Sequence, residues 1–259
     1  MFPIKPLILS AFILTSLLSK AQEGYQIDVH FSSGNVITYT LTDVGSIANG
    51  DGARMDVCLA DGGTKSYKFS TIDSVVFVQT NGYINGYEYV DLGLSVKWAT
   101  VNVGASSPED YGDYFAWGEM EAKETYSGSN SAMLGVETDD ITGDGDYDAA
   151  TANWGSPWRM PTYSECKELM NRCTWTWITL EGVNGYLVTG PRGYSIFLPA
   201  AGCREEESLI GAGTLGDYWL STPNINNASS SYDLNFYSDS HYMNWLYRHY
   251  GRTVRPVSD

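Results

Sequence analysis

Residues 162–180 read TYSECKELMNRCTWTWITL and contain the change from helix to strand that sets the fold class. Thr162 and Glu165 form a capping box, in which each side chain accepts a hydrogen bond from a backbone N–H at the start of a helix. Apolar side chains then recur on one helical face, at Cys166, Leu169, Met170 and Cys173. Aromatic and β-branched residues follow at 175–180, which is typical of a strand. The stretch therefore predicts a helix followed directly by a strand.

Short strands are predicted on both sides of this helix. Aromatic residues make up 14% of the chain, charged residues 18%, and there are 27 glycines, a composition that favours half-buried strands joined by turns. Apolar patterning places strands at 88–91, 96–101, 175–180, 186–189, 195–199, 218–222, 231–237 and 253–257. A second, shorter helix is expected over 148–153, with Asp148 as its N-cap. These elements predict an α+β domain with mixed or antiparallel strands and one or two helices.

An internal repeat precedes this domain. Residues 27–47 align without gaps with residues 55–75, an offset of 28 positions. The identical aligned pairs are Asp28/Asp56, Val29/Val57, Gly34/Gly62, Tyr39/Tyr67 and Ser46/Ser74. Each copy alternates apolar and polar residues on both sides of a glycine-containing turn, which predicts a β-hairpin with one buried face. We expect the two hairpins to make a small antiparallel sheet, and we interpret this module, residues 22–79, as structural because no polar groups converge in it.

A linker is predicted between the module and the larger domain. Residues 80–86 read TNGYING, and Asn and Gly at this density are typical of turns. The larger domain is therefore expected to cover residues 87–259.

The first 21 residues indicate export. Lys5 precedes an apolar run at 6–18 that is too short to span a bilayer comfortably. Residues 1–21 therefore read as a secretory signal peptide, with cleavage expected after Ala21. We expect a protein of the periplasm, the cell surface or the extracellular space, with no direct membrane insertion after the signal is removed.

The charge balance excludes two classes of partner. The chain has 31 acidic and 15 basic residues, a net charge of −16 and a pI near 4.4. Nucleic-acid binding needs a basic surface that neutralises phosphates, so no nucleic-acid partner is expected. An anionic membrane surface repels the chain for the same reason.

The four cysteines do not predict a disulfide framework or a metal site. Cys166 and Cys173 lie on one predicted helix with Cα atoms about 10 Å apart, beyond disulfide reach, and are interpreted as buried apolar residues. Cys203 pairing with Cys58 or with one of the helix cysteines stays open. No CxxC pair is present, and the three histidines (His30, His241 and His249) are not spaced with the cysteines as zinc ligands would be.

Several segments of the larger domain carry a family resemblance. They are, in order, YVDLGLSVKWATVNVGA (89–105), YFAWGE (114–119), NWGSPWRMPT (153–162), ECKELMNRCTW (165–175), FLPAAG (197–202), YWLSTP (218–223) and GRTVRPV (251–257). In this order they resemble the Fibrobacter succinogenes major paralogous domain, a family abundant in exported proteins of Bacteroidetes. The resemblance covers essentially all of residues 87–259, and the β-repeat is similar to short modules found ahead of such domains.

The resemblance implies a C-type-lectin-like fold, as also seen in formylglycine-generating enzymes and in variable proteins of diversity-generating retroelements. It implies little about activity, because this fold carries enzymes, lectins and adhesins alike. The tryptophans of the quoted segments are interpreted as core residues: Trp98, Trp117, Trp154, Trp158 and Trp219. Gly104, Gly118 and Gly202 are interpreted as turn residues.

Residues 224–250 have the most unusual composition in the chain. Asn, Tyr, Ser, Asp and His occupy 19 of the 27 positions, a mixture that binding loops favour for rigid contact area and adaptable hydrogen bonds. The diversified segment of the retroelement proteins has a similar bias and precedes a fixed terminal strand. We predict a ligand-binding face made by Tyr237, Asp239, His241, Tyr242, Asn244, Trp245, Tyr247 and His249. The alternative is that these are ordinary strand and turn residues, with Tyr242, Trp245 and Tyr247 in the core.

An acidic run contains the only calcium candidates. Asp144, Asp146 and Asp148 alternate as in the first half of a calcium loop. Ala149 and Gly155 stand where an EF-hand requires Gly and Glu, so the run is not an EF-hand. A solvated acidic loop is the preferred interpretation, calcium chelation is the alternative, and no other cofactor is expected.

No catalytic motif is present in the sequence. It contains no GxSxG elbow, HExxH, P-loop or GxGxxG pattern. The resemblance to formylglycine-generating enzymes suggests a Cys-based oxidase, but nothing in this chain matches the cysteine pair of those enzymes. A glycosidase-like carboxylate pair stays open, because sequence does not give carboxylate separations.

The sequence therefore predicts a binding protein and no enzyme. The expected function is that of an exported recognition module, which binds a glycan or a surface protein through its Tyr/Asn/Ser-rich C-terminal face. The alternative is a structural or assembly component of a cell-surface complex or appendage.

Overall fold

The computed structural model describes residues 25–40, 43–50, 52–79 and 81–259. These residues are β-rich and form several antiparallel sheets and two α-helices. The chain divides into two compact units, with the boundary between Gly82 and Tyr83. The predicted signal peptide, residues 1–21, lies outside the described residues. In the part of the chain that is described, no helix has the length and apolar character needed to cross a membrane.

The first unit contains six strands from the two sequence repeats. They are β1 (Tyr25–Phe31), β2 (Val36–Thr40), β3 (Val44–Gly50), β4 (Arg54–Leu59), β5 (Thr64–Lys68) and β6 (Ile72–Gln79). The first repeat supplies β1 to β3 and the second supplies β4 to β6. The strands form two three-stranded sheets, with the orders β2-β1-β6 and β3-β4-β5. Each repeat thus contributes a hairpin to one sheet and its third strand to the other.

This exchange corrects the prediction of one small sheet made by two hairpins. The buried apolar residues of the unit form four pairs at the repeat offset: Ile27/Met55, Val29/Val57, Val44/Ile72 and Ile47/Val75. A lone hairpin has too little apolar surface to be stable, and the exchange closes one core between both repeats. The hydroxyls of Tyr39 and Tyr67, which are equivalent residues, hydrogen-bond to each other. An approximate two-fold axis therefore relates the two repeats.

The second unit contains the remaining strands and both helices, except that β7 begins two residues before the boundary, inside the segment predicted as a linker. The strands are β7 (Asn81–Ile84), β8 (Tyr87–Val90), β9 (Lys97–Ala99), β10 (Thr174–Leu180), β11 (Val183–Thr189), β12 (Ser195–Pro199), β13 (Cys203–Glu205), β14 (Ser208–Ile210), β15 (Gly216–Pro223), β16 (Ser230–Tyr237), β17 (Ser240–Tyr247) and β18 (Val257–Ser258). The helices are α1 (Ala149–Trp154) and α2 (Tyr163–Arg172). The sheet orders are β10-β11-β12, β13-β14, β15-β16-β17 and β18-β9-β8-β7.

The sheet β15-β16-β17 separates two hydrophobic cores. Tyr218, Leu234 and Phe236 point into one core, which α2 and the sheet β10-β11-β12 cover. Trp219, the neighbour of Tyr218, points into the other core with Trp117. The five tryptophans predicted as core residues are all buried, which confirms that prediction. This sheet therefore has no fully solvated face, and only its outermost strand and its turns reach the surface.

The helix predictions are confirmed. Thr162 accepts a hydrogen bond from the Glu165 N–H, and the Glu165 carboxylate accepts one from the Thr162 N–H. Cys166 and Leu169 are fully buried, and the rest of the predicted face packs against the same core. All four cysteines are unpaired.

One strand prediction near the C-terminus is wrong, and one strand there was not predicted. Residues 253–257 do not form one strand, because they bond in turn to different neighbours: the carbonyl of Val254 accepts from Val103, that of Pro256 accepts from Ala99, and Val257 bonds with Arg159. Conversely, the segment assigned to a binding face contains the regular strand β17. The side chains of β17 do not alternate regularly between buried and exposed positions, so the period-two pattern that predicts a strand is missing.

Candidate ligand-binding hairpin

Strands β16 and β17 form a hairpin that carries most of the predicted ligand-binding residues. Their antiparallel register is continuous from Tyr237 opposite Ser240 to Ser230 opposite Tyr247. Because β15 lies on the other side of β16, β17 is an edge strand. Successive side chains of β17 point to opposite sides of the sheet. The predicted site residues are therefore divided between two environments.

His241 lies on the side that faces the first core. It stands opposite Phe236 in the register, and its ring stacks on Trp175 with 4.4 Å between the ring centroids. Burial lowers the pKa of His241 below its ordinary value. The side chain therefore belongs to the packing between the two sheets, and no pattern in the sequence indicated this contact.

Four aromatic side chains of the hairpin are exposed to solvent. Tyr237, Tyr242, Trp245 and Tyr247 are 43%, 42%, 51% and 49% exposed. Tyr242 and the half-buried Asn244 point to one side of the sheet, whereas Trp245 and Tyr247 point to the other. The placement of Tyr242, Trp245 and Tyr247 in the core, which was the alternative interpretation, is wrong.

The remaining predicted residues lie at the two ends of the hairpin. Asp239 is exposed in the turn between β16 and β17, where it accepts a hydrogen bond from Ser240. His249 follows β17 and packs between the rings of Tyr247 and Tyr250. Both residues border the exposed aromatic side chains, so the structure brings seven of the eight predicted residues to the surface part of one hairpin and its ends, and His241 is the exception.

Two open cavities of the second unit have polar linings. One of about 460 Å³ is bordered by Asp113, Tyr114, Lys123, Tyr126 and Arg204 among others. The other, of about 520 Å³, is bordered by Glu137, Asp139, Asn224, Asn226 and Arg248 among others. Neither is lined by a residue of β16 or β17, so the exposed aromatic residues of the hairpin present a surface and not the wall of these cavities.

A buried ion pair lies under the Tyr242 side of the sheet. Arg252 is fully buried and donates from Nε to Asp217 Oδ1 at 2.5 Å. The carboxylate of Asp233, also fully buried, lies 3.9 Å from the same nitrogen. The guanidinium carbon of Arg252 lies 4.2 Å from the ring centroid of Trp219, a cation–π contact. Sequence reasoning missed this triad, because its three members are far apart in the chain.

The carboxyl group of Asp233, the second of the triad, is buried where a negative charge is unfavourable. Burial raises the pKa of Asp233 well above its ordinary value, and the nearby Asp217 raises it further while Arg252 opposes this. Both Asp233 oxygens, and both terminal nitrogens of Arg252, are buried without a hydrogen-bond partner among the described residues. Burial therefore favours the neutral acid form of Asp233, while Arg252 pairs with Asp217.

Two further buried arginines have no carboxylate partner in the described part of the chain. Arg248 lies 4.1 Å from the ring centroid of Trp117 and donates to Ser231 Oγ and to the carbonyl of Val136. Arg255 donates to Asn102 Oδ1. Burial lowers the pKa of both groups to about 10. Both remain charged at neutral pH because their pKa values lie well above 7.

The cysteine thiols of this unit are not activated. Burial raises the pKa of Cys173 and of Cys203 to about 11, and raises that of Cys166 as well. The thiolate is the reactive form, so these groups are weak nucleophiles at neutral pH.

The structure does not assemble the three calcium candidates into a metal site. Asp148 is buried and accepts hydrogen bonds from the N–H groups of Gly143, Ala150, Thr151 and Met160. Asp144 accepts one from the N–H of Asp146. Over the described residues, no group of three or more His, Cys, Asp or Glu side chains is arranged to hold a metal ion. Asp148 therefore organises the acidic loop and caps α1.

Comparison with protein-family models, with curated proteins and with solved structures gives no match to this chain.

Asp148→Ala is expected to lower the free energy of unfolding of the second unit by about 3 kcal/mol, because four backbone donors lose their acceptor. Urea unfolding followed by Trp fluorescence measures this unit alone, since all 8 tryptophans lie in it. Asp146→Ala is the control, with an expected change within about 0.5 kcal/mol because its side chain is exposed. Equal effects of the two substitutions would contradict the structural role of Asp148.

Asp233→Asn and Asp217→Asn are expected to change stability in opposite directions at pH 7. The native state holds the Asp233 proton more tightly than the unfolded chain, so the contribution of this group falls as pH rises from its ordinary pKa toward the raised one, by up to about 1.4 kcal/mol per pH unit. The substitution Asp233→Asn removes this loss, so the variant gains stability over wild type at pH 7 and little at pH 4. Asp217→Asn removes the carboxylate that accepts from Arg252 Nε, and it is expected to cost at most about 3–5 kcal/mol, because Asp233 lies 3.9 Å from the same nitrogen.

Urea midpoints of both variants and wild type at pH 4 and pH 7 test this pair. If Asp233→Asn destabilises the protein equally at both pH values, the Asp233 carboxyl is ionised and pairs with Arg252.

Proposed function

We propose that this protein is a non-catalytic recognition module that binds a glycan or protein ligand through the hairpin β16–β17. The observation that carries the proposal is the concentration of exposed aromatic side chains on this hairpin. Tyr237, Tyr242, Trp245 and Tyr247 fall within eleven positions, and among the described residues only Tyr83 and Tyr147 are comparably exposed aromatics. Trp245 is also the one exposed tryptophan of the 8 in the chain.

The chemistry of these side chains supports binding. Tyr and Trp supply large apolar area together with a polar group, and they lose little conformational freedom on binding, so they are enriched in binding surfaces. The rest of the hairpin is anchored, because β16 is buried along most of its length and Arg248 donates to its Ser231. The contact surface is therefore held in place before a ligand arrives, which lowers the entropic cost of binding.

The proposal includes the family and the location suggested by the sequence. The quoted segments support membership of the Fibrobacter succinogenes major paralogous domain family and a C-type-lectin-like fold for residues 87–259. The apolar run at 6–18 supports export to the periplasm, the cell surface or the medium. In this proposal, residues 22–79 act as a structural module, and the protein is not an enzyme.

The combined substitutions Tyr242→Thr, Trp245→Thr and Tyr247→Thr are expected to abolish ligand binding, with a loss of at least about 100-fold in affinity. Threonine removes the aromatic ring but keeps a high strand propensity, so the hairpin is expected to fold. The chain from residue 22 to 259 is screened on glycan and surface-protein arrays, and binding of the variant is then compared with that of wild type by calorimetry.

The matched control is Tyr83→Thr with Tyr147→Thr, which removes two exposed aromatic side chains that are not part of the hairpin. Loss of binding in both variants would show that the hairpin is not the site. Absence of any ligand for the folded wild-type chain, together with capture of one fixed partner subunit, would favour an assembly component instead.

A further inference from the structure

Strand β17 has an open backbone edge. It is eight residues long, and its sequence, SHYMNWLY, contains no Pro, Lys, Arg, Asp or Glu. The pairing with β16 runs through it without a bulge. Charged residues, prolines and bulges are the usual devices that prevent an edge strand from pairing with another chain. β17 carries none of them.

The two edges of this sheet differ in whether other parts of the chain cover them. On the β15 side, Gly216 bridges to Gly202 and Tyr218 bridges to Thr253, so this edge is covered by other parts of the chain. On the β17 side, no backbone hydrogen bond joins the interior of the strand to any described residue other than those of β16. Half of the N–H and C=O groups of β17 point away from β16, as in any antiparallel edge strand.

The exposed side chains of β17 stand on both sides of this edge. Tyr242 projects from one face of the sheet, and Trp245 and Tyr247 project from the other. Side chains of an added strand also alternate between the two faces. A strand beside β17 would therefore meet an aromatic ring on each face, whereas a ligand that lies on one face meets only part of the set.

From the open edge and the two-sided aromatic set, we infer that β17 binds an extended peptide segment of a partner protein as a fourth strand of the sheet. This inference rests on the proposed recognition function and chooses a protein segment over a glycan. Main-chain hydrogen bonds hold the added strand, and the aromatic rings select its alternate side chains.

Charge determines which segment fits. The chain carries a net charge of −16, so two copies repel each other and an acidic segment is disfavoured. Asp239 at the turn beside β17 adds a local negative charge. The expected segment is uncharged or basic, with apolar or β-branched residues at alternate positions.

A displayed library of random ten-residue peptides, selected on residues 22–259 and counter-selected on the triple threonine variant, tests this inference. The selected peptides are expected to alternate apolar or β-branched residues with uncharged or basic ones and to contain few acids. The best peptide is then synthesised with N-methyl groups at two alternate backbone positions in each of the two possible registers. One of the two methylated peptides is expected to bind roughly tenfold or more weakly, and the other to bind like the parent.

Amide hydrogen exchange supplies the readout specific to strand addition. The parent peptide is expected to protect alternate amides of β17 that exchange freely in the unbound protein.

Peptide binding without new amide protection, or equal affinity of all methylated peptides, would overturn strand addition and leave the proposed recognition function unaffected. Binding of glycans alone has the same consequence. Protection of the same amides by self-association, seen as dimers in sedimentation, would replace the peptide by a second copy. Failure of every ligand class on the folded protein would overturn both proposals.

Discussion

The segment Arg248–Val257 is the constraint on which the second unit depends. Its backbone bonds in turn to Trp117, Phe115, Trp219, Val103, Ala99 and Arg159, besides Arg204. Its three arginines are buried, and their guanidinium groups lie on or between tryptophans, carboxylates and carbonyls. A buried guanidinium without partners is costly, so each arginine fixes the loop or strand that supplies its acceptors. One stretch of chain thus joins β9, β15, β16 and the loops around Phe115 and Trp117.

The same constraint shapes the hairpin. Arg252 bonds Asp217 on β15, and Arg248 bonds Ser231 on β16, so both of these strands are held by the C-terminal segment. β17 is held by its pairing with β16 and by contacts such as that of His241 with Trp175. The sheet is therefore rigid in its centre and open at its outer edge. This combination suits recognition, since it offers a fixed surface at little cost in ordering.

The triad of Arg252, Asp217 and Asp233 shows how this arrangement tolerates charge in its core. Two carboxyl groups and one guanidinium meet in a space with almost no solvent. Arg252 Nε bonds Asp217 there, and burial favours the acid form of Asp233. Asp233 would gain from ionisation only if a further donor reached it, and both of its oxygens are without one among the described residues. The raised pKa of Asp233 thus links the stability of the unit to pH. Asp233 lies on β16 directly opposite Asn244 of β17.

Local structure in this protein follows from the sequence. The capping box at Thr162, the helical spacing of Cys166 and Leu169, the cap at Asp148 and the burial of the large tryptophans all follow from neighbours in the chain and from side-chain chemistry. The exchange of strands between the repeats, the buried triad at Arg252 and the exposure of individual hairpin residues all depend on contacts between distant segments. Composition cannot distinguish His241, which stacks on the half-buried Trp175, from Tyr242, which stands next to it and faces water.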